Sequence, residues 1–252
     1  MNMDNRIVAI GDTDTAKSSC LVEAYRSMCA GIQDRRTIRS NSIHIERNSE
    51  LDRLQRCTNM TSENHEYKWF VCINDTRLFT MRWYDTVGGS IDPSSRWHAD
   101  TVAKIRQADY VFAFFSCDEL VKKNTADLRR TAKKVEMTLN TVMEGHAGKT
   151  KLVICLSKSD TVTAEQKQEI VSIFANVRGS VIGIPTMPYF VSTVEGHGFH
   201  SPMGPLLMAM DECLAKYQCG LSRLDVVNKV RASATDHALD AWKNHYSTGA
   251  WA

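Results

Sequence analysis

Hydrophobic and polar positions follow two alternating patterns along this chain. Short, nearly continuous apolar runs at 7–10, 66–73, 78–84, 110–115, 151–156 and, more weakly, 187–191 predict six strands. Between them, apolar residues return every three or four positions over 17–28, 94–107, 118–145, 163–177 and 202–217, which predicts helices. The runs at 66–73 and 78–84 meet at Asn74-Asp75, a tight hairpin, so one strand of that pair runs against the rest. The runs at 110–115 and 151–156 are apolar throughout, as strands covered on both faces must be. Strand and helix in alternation give an α/β fold: a six-stranded, mostly parallel sheet with one antiparallel strand and helices on both faces. Ligands of such sheets sit at the carboxyl ends of the strands.

Two stretches fall outside the repeat. Residues 32–64 are polar and read as a long loop with a short helix around 48–57. The tail after Gly220 reads as an extra helix with one apolar face, so the expected organisation is a domain over 1–219 and a helical extension over 220–252. The composition, 43% hydrophobic and 24% charged, belongs to a globular protein. With 31 Lys and Arg against 29 Asp and Glu the net charge is only +2, so no overall basic field points to nucleic acid. No apolar run is long enough to span a membrane, and the start lacks the basic and apolar regions of a signal peptide. Asn2 stands where N-myristoylation needs glycine, and the end offers no prenylation cysteine, so no direct membrane anchor is expected. The eight cysteines form no C-x-x-C pair, and Cys155 lies inside an apolar run; reduced, buried thiols and a cytoplasmic location follow as expectations.

The chemistry concentrates at the ends of the predicted strands. Gly11-Asp12-Thr13-Asp14-Thr15-Ala16-Lys17-Ser18-Ser19 lies between a strand and a helix, the context of a phosphate-binding loop. Backbone N–H groups of 14–19 and the helix N-terminus would wrap a β-phosphate, Lys17 would span the β- and γ-phosphates, and Ser18 Oγ would hold Mg²⁺. Ala16 stands where the motif wants glycine, which threatens the backbone angles and the close approach to phosphate. Asp85-Thr86-Val87-Gly88 follows a strand directly: the aspartate can hold Mg²⁺ through water, and Gly88 leaves its N–H free to meet a γ-phosphate. Ser157-Lys158-Ser159-Asp160 ends another strand, where the carboxylate can accept from guanine N1 and N2 and the Lys158 stem can lie along the base. Ser192-Thr193-Val194 ends the sixth, where a backbone N–H could meet guanine O6.

These four elements, in this order, resemble the small GTPases of the Ras and Rab kind, over about residues 5–217. The resemblance implies GTP or GDP with Mg²⁺ as ligands, a switch function through a protein effector or regulator, and a magnesium-binding threonine just before the hairpin. Thr61, 24 residues ahead of Asp85, is the best-placed candidate, with Thr58 second and Thr37 remote. The implied catalytic set is Lys17, Gly88 and Thr61. Three departures matter: Ala16 for glycine, Ser157 for the usual asparagine, and Gly89 where Ras-type enzymes carry the glutamine that orients water. They leave two readings open: a nucleotide-binding switch with slow or partner-dependent GTP hydrolysis, or a degenerate GTPase kept as a protein-interaction scaffold. An NTPase completed by a neighbouring subunit is a third. No glutamate follows Asp85 directly, which disfavours ATP hydrolysis of the helicase kind.

Other residues are read structurally. His98 is a helix-surface histidine rather than a water-positioning group, and Gly196-His197-Gly198-Phe199-His200 is a glycine loop rather than a metal site. The basic residues Lys122, Lys123, Arg129, Arg130, Lys133 and Lys134 form a solvated face, and Arg35, Arg36 and Arg39 belong to a charged loop. Trp242 and Trp251 in the tail read as core and terminus.

Overall fold

The computed structural model describes residues 4–29, 43–45, 62–73, 76–144, 150–175 and 188–192, with Pro205, Leu206, Ala209 and Cys213. In chain order the strands are β1 (Asp4–Gly11), β2 (Ile43–Ile45), β3 (His65–Ile73), β4 (Thr76–Asp85), β5 (Tyr110–Ser116), β6 (Lys151–Ser157) and β7 (Tyr189–Phe190). The helices are α1 (Lys17–Cys29), α2 (His98–Arg106), α3 (Cys117–Leu120), α4 (Thr125–Met143) and α5 (Ala164–Phe174). The sheet order is β2-β3-β4-β1-β5-β6-β7; β3 runs against its neighbours and the other pairings among β4, β1, β5, β6 and β7 are parallel.

The α/β architecture and its single reversed strand agree with the sequence pattern, and the expected count of six strands becomes seven. The addition, β2, pairs through Ile43–Ile45 with β3 at the sheet edge, inside the segment read as a loop. The helix expected over 118–145 is two. α3 ends at Leu120, and Asn124 then caps α4, its side chain accepting from the Asp127 N–H at 3.0 Å. The helix expected from residue 94 starts at His98, because Asp92 spends its carboxylate on Ser94 and its carbonyl on the Ser95 N–H, which holds the chain in turns. Pro205, Leu206, Ala209 and Cys213 are helical, as expected of 202–217. The proposed extension over 220–252 lies outside the described residues.

Alternation along β1 shows why the sheet is covered on both sides. Ile7 and Ala9 pack with Leu21, Ala24 and Tyr25 of α1 and with Leu206, Ala209 and Cys213. Val8 and Ile10 pack with Ile105 of α2, Leu128 and Leu139 of α4, and Ile170 and Phe174 of α5. Trp83 meets Phe112 edge to face at 5.5 Å, and each such fully buried ring contributes about 2–3 kcal/mol through burial. Cys20, Cys117, Cys155 and Cys213 are buried and form no disulfide. Burial pushes the Cys117 thiol up to about 12 and those of Cys20 and Cys155 well above the usual range, so these thiols stay protonated and inert. Among the described residues no helix is long and apolar enough to cross a membrane.

Candidate functional site

Parallel pairing aligns the carboxyl ends of β1, β4, β5 and β6 on one rim: Ala9 lies opposite Asp85, Gly11 opposite Phe114, and Ser116 opposite Ser157. The chain leaves β1 through Gly11 at φ +151, where a Cβ would sit 2.6 Å from the Phe114 carbonyl oxygen and 2.9 Å from Thr15 Oγ1. Only glycine fits there. The loop then turns through Asp14 at φ 64 and Ala16 at φ 60, both left-handed, and the Ala16 carbonyl accepts the Cys20 N–H at 2.9 Å to open α1. Ala16 thus takes the conformation that a glycine would hold without strain, at a cost of about 1–2 kcal/mol. The loop keeps its shape despite the alanine.

Lys17 crosses inside this loop. It is 6% exposed, and its ammonium donates to the carbonyls of Gly11 (3.1 Å) and Asp12 (2.9 Å). Burial lowers its pKa, against the opposing pull of Asp85 and Asp12. Thr15 Oγ1 also donates to the Asp12 carbonyl, at 2.9 Å. Ser18 Oγ donates to Asp85 Oδ2, so the two side chains read as magnesium ligands stand in direct contact, and Asp85 is buried. A hydroxyl and a carboxylate side by side fit a hard divalent cation such as Mg²⁺. Ser19 follows in the first turn of α1 and is exposed.

The segment after β4 folds onto the same loop. Thr86 Oγ1 donates to the Ala9 carbonyl at 2.7 Å, and the Gly89 N–H donates to the Gly11 carbonyl at 3.2 Å. Gly88 between them presses on Thr13: a Cβ there would meet Thr13 Oγ1 at 2.2 Å and the Thr13 nitrogen at 2.4 Å. Gly89, at φ +71, has open space where a side chain would point. One residue that the sequence pattern did not single out governs this segment: Asn64 Oδ1 accepts the Val87 N–H at 2.9 Å. His98, with Nδ1 2.9 Å from the Ile91 carbonyl oxygen, braces the same stretch, in keeping with its structural reading.

Across the rim, Lys158 sits at φ 53 and its ammonium reaches Asp14 Oδ2 at 2.8 Å and Asp118 Oδ2 at 3.4 Å. Segments 144 positions apart therefore touch. Burial disfavours the Asp118 carboxylate, but the Ser116 hydroxyl and the Lys158 charge outweigh it and hold Asp118 below the usual range. Ser157 Oγ donates to the Phe115 carbonyl at 3.1 Å, and the side chain that ties this segment to the phosphate loop is that of Lys158. Ser159 donates its N–H to the Val191 carbonyl at 3.1 Å, and Ser192 Oγ donates to Asp160 Oδ1 at 2.6 Å. Thr61, Thr193 and Val194 lie outside the described residues, as do Thr58, Thr37, Arg35, Arg36, Arg39 and 196–200. A cavity of about 540 Å³ opens on the α4 side of the phosphate loop, between Ile91, Leu120 and Val135; Lys17, Ser18, Asp85 and Lys158 do not line it.

No family model matches the chain, and no curated protein matches it. Solved structures do. The signal recognition particle receptor SRb-GTP/SRX complex from Chaetomium thermophilum is similar at 13% identity and TM-score 0.50, over 79% of this chain and 96% of that one. A bacterial selenocysteine-specific elongation factor, EF-Sec, is similar at 14% identity and TM-score 0.45, over 86% of this chain and 29% of the factor. Elongation factor SelB from Methanococcus maripaludis, in complex with the GTP analogue GppNHp, follows at 10% identity and TM-score 0.41, over 84% of this chain and 35% of that one. This chain thus spans about a third of the length of either elongation factor. The mostly parallel sheet, the loop from Gly11 to Ser18 and the receptor likeness agree: the chain has the P-loop GTPase fold, in a divergent form.

Proposed function

We propose that the chain binds a guanine nucleotide along this rim and acts as a switch through protein partners, hydrolysing GTP slowly or only with a partner's help. One observation carries the proposal: Lys158, from the base-side loop, meets Asp14 of the phosphate loop at 2.8 Å, so the two halves of a nucleotide site lie within one ligand's length. In this reading Lys17 and the N–H groups of 14–19 hold the phosphates, with Ser18, Asp85 and Thr61 around Mg²⁺. Gly88 senses the γ-phosphate, and Lys158, Asp160 and residues 192–194 hold the base. Mg²⁺, when bound there, would neutralise phosphate charge. Gly89 offers no side chain to orient a water, which supports slow hydrolysis. The receptor structure of similar fold is a complex with a partner protein, which supports a partner here.

A second reading, a scaffold that binds no nucleotide, draws on the way the gripping groups pair with one another: Ser18 with Asp85, Lys158 with Asp14, Ser192 with Asp160. Thermal melts separate the two. With Mg²⁺ and GDP or GTP at 100 times the Kd, the folded state should gain about 2.7 kcal/mol, and ADP should add nothing. No shift with any nucleotide favours the scaffold.

A further inference from the structure

Asn64 sits just before β3 and touches two parts of the molecule, the turn after β4 and α2, through one carboxamide. Its Oδ1 accepts the Val87 N–H at 2.9 Å, and its Nδ2 donates to Asp100 Oδ2 at 2.9 Å and to Thr101 Oγ1 at 3.4 Å, both on α2. Asp100 also accepts from the Tyr84 hydroxyl. The carboxylate can only accept and the peptide N–H can only donate, so the amide has one orientation that satisfies both sides. An aspartate would lose the donor, and an aliphatic side chain would lose both functions. Residue 87 is therefore tied to the segment entering the hairpin, while 88 and 89 are tied to the phosphate loop, Gly88 by its contact with Thr13 and Gly89 through the Gly11 carbonyl. A shift of Gly88 at the loop is felt one residue away, at the Asn64–Val87 bond.

We infer that Asn64 is a positioning residue: it holds the Val87–Gly89 turn against the phosphate loop and so sets the preference for a nucleoside triphosphate over a diphosphate. The inference rests on the nucleotide-binding reading above. A diphosphate has no group facing Gly88, so its affinity does not depend on where that turn sits. Titrating labelled GDP and a non-hydrolysable GTP analogue into the full chain tests this. Asn64→Ala should weaken the analogue about tenfold and leave GDP within about twofold, as expected for one well-formed hydrogen bond and its orienting partners. Asp100→Ala, on the exposed first turn of α2, should move the ratio in the same direction by less, and the double variant should add little to Asn64→Ala. A general loss of structure would weaken both nucleotides alike. Should a folded Asn64→Ala protein keep the parent's ratio, or both nucleotides weaken together, Asn64 has no such role. Asp100→Ala decides the same question if Asn64→Ala folds poorly, an unmoved ratio there being the overturning result. A parent chain that binds neither nucleotide overturns the functional reading itself, an outcome distinct from an unchanged ratio.

Discussion

The proposed phosphate corner and the proposed base corner of this rim depart from the small-GTPase pattern in different ways. At the phosphate corner the change falls on the backbone: Ala16 replaces glycine, yet the residue stays left-handed at φ 60 and Lys17 still bonds the loop carbonyls from inside. At the base corner it falls on a side chain: Ser157 turns to the Phe115 carbonyl, and Lys158 bridges to the loop through Asp14, which is 86% exposed. The first departure is absorbed as strain in a loop held by several hydrogen bonds. The second is rerouted through a solvated ion pair, which is worth at most about 1 kcal/mol. A hydrogen-bonded backbone resists a substitution by holding its shape, whereas an exposed side-chain tie is replaced by whatever charge lies within reach.

That contrast can be broken most severely at Lys17. Lys17→Met removes the ammonium that would meet two phosphates, so nucleotide affinity should fall about 100-fold. Stability should stay within about 1 kcal/mol, because the methionine avoids the burial of a charge and both carbonyls keep other donors, the Gly89 N–H and Thr15 Oγ1. Calorimetric titration beside chemical denaturation reads the two quantities; intact binding would mean that this corner holds no phosphate. Next in size is Ala16→Gly, which releases left-handed strain and should add about 1 kcal/mol, or about 2–4 °C in Tm. Affinity should change little, since the loop already has its shape; a large rise would show that the alanine deforms the corner after all. Smallest is Asp14→Asn, expected to lower stability by about 0.5 kcal/mol at low salt and by nothing measurable at high salt. An effect that survives high salt would mark the Lys158–Asp14 tie as more than a surface pair.

Much of this was legible in the sequence because the chemistry lies where strands end. Gly11, Lys17, Asp85 and Asp160 announce themselves by following apolar runs, and parallel pairing brings them to one rim. β2 was not legible: three residues, Ile-His-Ile, in a polar stretch carry too little periodicity to mark a strand. The break before α4 was hidden because Val121 and Leu128 keep a seven-residue step across it, although Asn124 followed three positions on by Asp127 is a capping signal. Asn64 carried no motif at all. Its role comes from the hairpin register, which continues past the His65–Asp85 pair and brings residue 64 beside the turn that follows β4.

β7 contributes two residues to the ladder, Tyr189 opposite Cys155 and Phe190 opposite Leu156, and the Val191 N–H adds one bond to the Leu156 carbonyl at 2.8 Å. Those few rungs and the Ser159 N–H, which donates to the Val191 carbonyl at 3.1 Å, help to keep Ser192 in reach of Asp160. Opening there exposes far less apolar surface than unzipping β1 from its two neighbours, so amide protons on this margin should exchange with solvent well before those at the centre of the sheet. On the proposed reading, the grip on the base would then open at a lower temperature than the sheet that carries it.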